Sequence, residues 1–117
     1  MGPVGDVTST TIEHALRGLS VRADVRADNL ANANTPGFRA GRVDFESTLR
    51  SALADGEFDE TVSVPITVDP NLPGPNQNLV SVEGEMVGML RDQLLRNAMV
   101  NAYNFKVNAY RTAIGSR

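Results

Sequence analysis

The stretch VEGEMVGMLRDQLLRNAMVNAYNFKVNAYRTAI, residues 82–114, decides how this chain folds. Its apolar residues recur at helical spacing for roughly 30 residues, which makes a rod of about 45–50 Å. One stripe runs Met86, Met89, Gln93, Arg96, Val100, Tyr103, Val107, Tyr110, Ile114 in a strict alternation of threes and fours. That is the heptad of a helix packed lengthwise against another. An adjoining stripe runs Val87, Leu90, Leu94, Asn97, Asn101, Asn104, Asn108. It begins apolar and becomes four successive Asn. Two readings of the Asn stay open: an exposed polar face, or a packed seam whose amides hydrogen-bond across helices. Asn is a mediocre helix former, and Glu, Lys or Gln would fill a solvated face better. Gly84 and Gly88 form G-x-x-x-G among charges, which permits close helix approach but excludes a membrane dimer motif.

A second helix is expected near the N-terminus. Ile12, Leu16, Leu19, Ala23, Ala27, Leu30 and Asn34 recur at spacings of three and four. Thr8, Ser9 or Thr10 is the candidate N-cap, so the helix is placed at 10–33. It must stop near Asn34, because Thr35 precedes Pro36 and is pushed out of the α region. Thr35-Pro36-Gly37-Phe38 reads as a type II turn with positive φ at Gly37. Asp44 is placed to cap a short helix over 45–54, ended by Asp55-Gly56. Residues 61–68 alternate like a strand, limited by Pro65 to an edge or short ribbon. Residues 69–79, rich in Pro and Asn, form a loop, and 55–81 as a whole is expected to be partly mobile.

The fold class that follows is mainly α. Terminal helices pair as an extended coiled-coil-like hairpin, with a short helix, a small extended β segment and a Pro/Asn-rich loop between them. The chain is expected to be one unit: 10–37 helix and turn, 38–81 middle segment, 82–117 last helix. Its 117 residues include no Trp, two Tyr and four Phe, too little bulk for a dense core of its own. Either the fold is extended or part of the apolar surface meets another chain, and Met86, Met89 and Met99 are either adaptable contacts for such partners or ordinary core fillers.

Composition excludes much chemistry. With no Cys and a single His, His14, thiolate zinc sites, Cys nucleophiles and His clusters cannot form within one chain. His14 reads as a surface or packing residue. The local carboxylate pairs lack a pocket that would separate their pKa values, and no phosphate-binding or nucleophile-elbow motif occurs. No catalytic residue, metal or cofactor is expected, and the chain is not expected to be an enzyme. No apolar run reaches the roughly 18 residues of a membrane span. The first residues have no basic-then-apolar signal pattern, so no cleaved signal peptide is expected. Charge is uneven: residues 1–50 are neutral, 51–85 carry seven acids and no base, and 86–117 carry net +4. The acidic middle and basic end either attract each other or are solvated faces. Without a dense basic cluster or aromatic platform, nucleic-acid binding is not expected.

Residues 27–38, ADNLANANTPGF, closely resemble the signature of the bacterial flagellar rod, hook and hook-associated axial proteins: an Ala/Asn-rich helix end, then Thr-Pro-Gly and an aromatic. Val82-Glu83-Gly84-Glu85-Met86 before a long heptad helix is the second half of the match. Within that family, the short length, the run from Asn34-Thr35-Pro36-Gly37-Phe38-Arg39 into Val43-Asp44-Phe45-Glu46, and the approach Pro75–Glu83 are similar to the proximal-rod type. The resemblance covers roughly 10–54 and 76–115. Asp28 stands where the family more often has Asn, and the Asn-rich last helix is unusual for it.

The resemblance implies a structural rod subunit of the flagellar basal body, whose terminal helices polymerise with other rod proteins and transmit torque. It implies Asn29, Asn32, Asn34, Thr35, Pro36, Gly37 and Phe38 as an assembly motif. Helix-interface residues would be Ile12, Leu16, Leu19, Leu30, Met86, Leu90, Leu94, Asn97, Val100, Asn101, Tyr103, Asn104, Val107, Asn108 and Tyr110. Implied partners are other rod proteins, the adaptor between membrane ring and rod, the flagellar type III export apparatus, and further copies of the chain within the rod. Alternatives are a different rod subunit type, or a soluble helical adaptor or secretion chaperone.

Overall fold

The computed structural model describes residues 7–56, 63–70, 73–74 and 77–115. Five elements follow one another: α1 (Val7–Ala31), β1 (Gly41–Val43), α2 (Phe45–Asp55), β2 (Ile66–Val68) and α3 (Val82–Gly115). The two long helices run antiparallel and pair as a hairpin. Arg26 of α1 meets Glu85 near the start of α3, and Ser20 meets Arg96 two to three turns further on. The molecule is a thin plank of 68 × 28 × 15 Å.

Helix α1 starts earlier than the hydroxyl cluster suggests. Thr8, Ser9 and Thr10 lie inside the helix rather than capping it, and Thr11 Oγ1 donates back to Val7 O at 2.6 Å. At its other end α1 stops at Ala31, and the chain tightens through Asn32 N–H to Asn29 O (3.2 Å) and Ala33 N–H to Leu30 O (3.2 Å). The turn follows as expected: Gly37 has φ 76°, and Phe38 N–H donates to Thr35 O at 3.2 Å.

Helix α2 is defined locally. Asp44 accepts from Ser47 N–H at 3.1 Å and from Ser47 Oγ–H at 2.7 Å, and Gly56 closes the helix in the left-handed region at φ 69°. The strand expected over 61–68 is confined to Ile66–Val68, and Thr61 and Val62 lie outside the described residues. Its partner β1 has no signature in the sequence, because three residues are too short for an alternation to register. The two strands pair antiparallel with Gly41 opposite Val68, Arg42 opposite Thr67 and Val43 opposite Ile66.

The apolar core is small: Ala15 and Leu19 of α1 meet Val43 and Phe45, with Leu49, Leu95 and Met99 packed against them. Phe45 reaches it because position 18 is Gly. A Cβ there would stand 2.3 Å from Phe45 Cγ. The α1 stripe read from apolar spacing is therefore only half realised. Ile12 and Leu19 are buried and Leu16 and Leu30 half-buried, but Ala23 and Ala27 are exposed. In that half of the helix Val21 and Val25 pack against the core, and the other inward positions are Arg22, Arg26 and Asn29, which a search for apolar period passes over.

Candidate functional site

The junction between α1 and α3 is ionic. Arg22 places Nη1 and Nη2 on the two carboxylate oxygens of Glu46 at 2.9 and 3.0 Å. It also places Nη2 and Nε on Asp92 at 3.0 and 3.2 Å, and Nη1 on Val43 O at 3.1 Å. Its guanidinium lies 4.6 Å from the centroid of Phe45, a cation–π contact. One side chain thus joins α1, β1, α2 and α3. Burial works against the charged guanidinium, but the hydrogen bonds and charges of Glu46 and Asp92 outweigh it and raise its pKa above the ordinary arginine value. Arg26 extends the lattice, with Nε on Asp92 at 2.9 Å and Nη1 on Glu85 at 3.3 Å. It lies flat on α3 because residue 88 is Gly: a Cβ there would stand 2.3 Å from the guanidinium carbon. This is the close approach that G-x-x-x-G permits, made between a helix backbone and a cation.

Asn29 completes the junction and is buried. Its Nδ2 donates to Gly41 O at 3.0 Å and to Glu85 Oε1 at 3.2 Å, while its Oδ1 accepts Gly41 N–H at 2.9 Å. The carboxamide thereby satisfies both backbone groups of Gly41 on the side of β1 that β2 leaves open. Asn32 works locally: its Nδ2 donates to Asp28 O and Oδ1 at 2.9 and 3.3 Å, and its Oδ1 accepts from Thr35 Oγ1 at 3.2 Å. The Asp at 28 therefore supplies an acceptor to the motif.

The motif also meets a residue that the sequence reading did not single out. Asn78 Nδ2 donates to Asn32 O and Thr35 O, both at 2.7 Å, and Asn78 Oδ1 accepts Val80 N–H at 2.7 Å. Gly37 N–H donates to Gln77 O at 2.8 Å. The entry to α3 is thus stapled to the exit of α1. A signal for Asn78 was its place in the Asn-containing approach to the last helix. Of the remaining motif residues, Asn34, Thr35, Pro36 and Gly37 are exposed and Phe38 is half-buried.

The interface residues expected on α3 divide. Tyr103, Val107 and Tyr110 are half-buried, while Met86, Leu90, Leu94, Val100 and Asn97, Asn101, Asn104 and Asn108 are exposed. The side of α3 toward α1 is carried instead by Glu85, Gly88, Asp92, Leu95 and Met99. A straight helix explains the division. A strict seven-residue repeat drifts about 20° per heptad, so a stripe that starts at an exposed Met86 turns toward α1 by Tyr103. Among the described residues the Asn stripe forms no amide contact with α1, and a bond runs along α3 instead, from Gln93 Nε2 to Asn97 Oδ1 at 3.2 Å. Among the described residues no three His, Cys, Asp or Glu are grouped to hold a metal, and no helix is long and apolar enough to cross a membrane.

Comparison with known proteins places these features. The family model for flagella basal body rod proteins matches residues 11–39, which include Arg22, Arg26, Asn29 and the turn. The chain is 27% identical over 120 residues to a flagellar basal body rod protein FlgB of Bacillus subtilis (strain 168), covering 92% of each chain. It is 30% identical over 112 residues to a FlgB of Borrelia hermsii, covering 75% of this chain and 82% of that one. To a FlgB of Yersinia enterocolitica it is 31% identical over 94 residues, 69% of each.

Proposed function

This chain belongs to the FlgB family of flagellar basal body rod proteins, and from that membership we propose that it is a structural subunit of the proximal rod. It joins other rod proteins through its two terminal helices and transmits torque, with no catalytic step. The observation that carries this reading is the division of labour on α3. One side is tied to α1 by Arg22 and Arg26, and the other leaves Leu90 and Leu94 about 70% exposed. A soluble monomer gains nothing from such a surface, whereas a subunit packed among neighbours buries it. The motif at 29–38 then holds the hairpin in the shape that neighbours meet. Its partners are other rod proteins, the adaptor between membrane ring and rod, and the type III export apparatus that delivers the chain. It resides in the basal body where the rod crosses the periplasm.

The test is genetic and biochemical. A strain lacking the chain should lose swimming and rod assembly. A strain carrying the chain without residues 27–38 should behave the same while still expressing it. The intact chain should be recovered in purified basal bodies. Normal swimming in the deletion strain, or recovery of the intact chain only in the cytosol, overturns the reading; the second result points to an adaptor or secretion chaperone.

A further inference from the structure

The face of β2 turned toward α1 is only partly covered. Residues directly opposite in a ladder share a face, so Ile66 and Val68 stand with Val43 and Gly41. That face meets α1: a Cβ on Gly41 would stand 2.9 Å from Val25 Cγ1. One helix is too narrow to reach under both strands, and Ile66 and Val68 stay 57% and 53% exposed. Beside them runs a groove of about 400 Å³, lined by Val21, Val25 and Phe38, with Asp24 and Asp28 on its α1 side. The backbone at this edge is open as well. Asp69 N–H donates to Ala40 O at 2.9 Å, so the alternation of the ladder turns the N–H and C=O groups of Ile66 and Val68 outward. Among the described residues these groups have no hydrogen-bond partner. Asn29 covers the other edge of the sheet. Pro65 is one residue out of phase: its missing N–H falls on the β1 side, and the outer edge stays unguarded.

We propose that this edge and groove take a third strand, an extended segment of an unlike neighbouring rod protein whose inward side chains read apolar, basic, apolar. The proposal rests on the rod-subunit reading for the neighbour and names the chemistry by which it docks. An open row of N–H and C=O groups is matched by another strand and not by a helix, whose own groups are already paired. Charge fixes the middle of that strand. Asp24 and Asp28 are exposed, one helical turn apart, and in no ion pair among the described residues. Cations stand at the two ends instead: Arg17, a turn before Val21, and Arg39, which donates to Pro70 O at 3.2 Å. Alternate strand residues fall about 6.8 Å apart. The carboxylates thus select one basic side chain at mid-strand, with apolar side chains two residues to either side over Val21 and Phe38. Within this chain an Arg or Lys with an apolar residue two places before and two after occurs only at Arg17, Arg96 and Arg111, all inside α1 or α3. A second copy therefore has no such strand to give, and the partner is an unlike chain.

The probe is acetyl-Thr-Val-Thr-Lys-Thr-Val-Thr-amide, which reads the same in both strand directions. It is titrated into the purified full-length chain and followed by NMR. Saturable shifts should map to residues 21–28 and Ile66–Val68. Amide exchange should slow several-fold at Ile66 and Val68, whose N–H groups the added strand engages, and stay unchanged at Thr67, which already faces β1. The same peptide with Glu in place of Lys should bind several-fold more weakly, and Asp24→Lys should abolish that preference. Val68→Pro removes an outward N–H without touching the β1 ladder, and should weaken binding several-fold. In the flagellated strain, Asp24→Lys should lower the yield of assembled rods several-fold, while the purified variant melts like the unsubstituted chain. The proposal is overturned by no saturable shift at Ile66 and Val68, by equal binding of the Lys and Glu peptides, by undiminished binding to Val68→Pro, or by full rod assembly with Asp24→Lys. Each of these leaves the rod reading intact; that reading fails separately if the unsubstituted chain is absent from basal bodies.

Discussion

At the residue scale, the hairpin depends on two positions without side chains. Gly18 admits Phe45, and Gly88 admits Arg26. An Ala in the middle of a helix is worth about 0.8–1 kcal/mol over Gly, so a helix without tertiary demands would gain from Gly88→Ala. Here the added methyl displaces a guanidinium that binds Asp92 and Glu85. Hydrogen bonds to charged groups contribute about 1.5–3 kcal/mol each, which exceeds the helical gain. Gly88→Ala should therefore lower the thermal midpoint of the purified chain. Gly84→Ala, whose Cβ would meet only the Ser81 side chain, should leave it unchanged or raise it. Circular dichroism melts of the two variants side by side check this. Equal behaviour of the pair would remove Arg26 from its seat on α3.

At the element scale, legibility follows how local each element's cause is. Helix α2 was legible almost to the residue, because Asp44, Ser47 and Gly56 lie within or beside it. Its cap also makes a pH prediction. The Ser47 hydroxyl and N–H hold the Asp44 carboxyl below its ordinary value near 3.8. A lowered folded pKa means that the cap's contribution is complete above pH 3.8 and is lost as pH falls through the lowered value. The Ser47 amide should thus exchange faster below that point, and Asp44→Asn should remove this pH dependence; amide exchange of α2 followed by NMR reads both. The seam between α1 and α3 was legible only in part. Arg22, Arg26, Glu85 and Asp92 belong to no apolar period in the sequence, and only their distances in space make them a lattice. Strand β1 was invisible for another reason. Its open edge is satisfied by the side chain of Asn29, twelve residues earlier, rather than by a long run of strand residues.

At the scale of the whole molecule, the expected hairpin of terminal helices is present, and the thin composition has its counterpart in a core of few buried apolar residues. The alternative that part of the apolar surface meets another chain agrees with the exposed leucines of α3. The α1–α3 pairing rests on ion pairs more than on apolar burial, so it should be sensitive to ionic strength. Raising salt on the purified chain should increase hydrogen exchange along 85–99 of α3 more than in the α1–α2 contact around Leu19 and Phe45. Uniform protection at all salt concentrations would mean that the apolar contacts, not the arginines, hold the hairpin shut.

The Arg22 lattice also ranks its own bonds by the length of chain that must be looped to make them. Arg22 reaches Glu46 across 24 residues but Asp92 across 70, while Asn29 reaches Gly41 across 12. The entropy of closing a loop grows with its length, and contacts distant in the chain form slowly. The clamp on Gly41 and the grip on Glu46 therefore close first, and leave a preset guanidinium with one side still open. Helix α3 docks last onto that half-made site, and its departure is the first step backward. The same arginine that shuts the hairpin thus divides the chain into an early-folding body and a late-arriving arm.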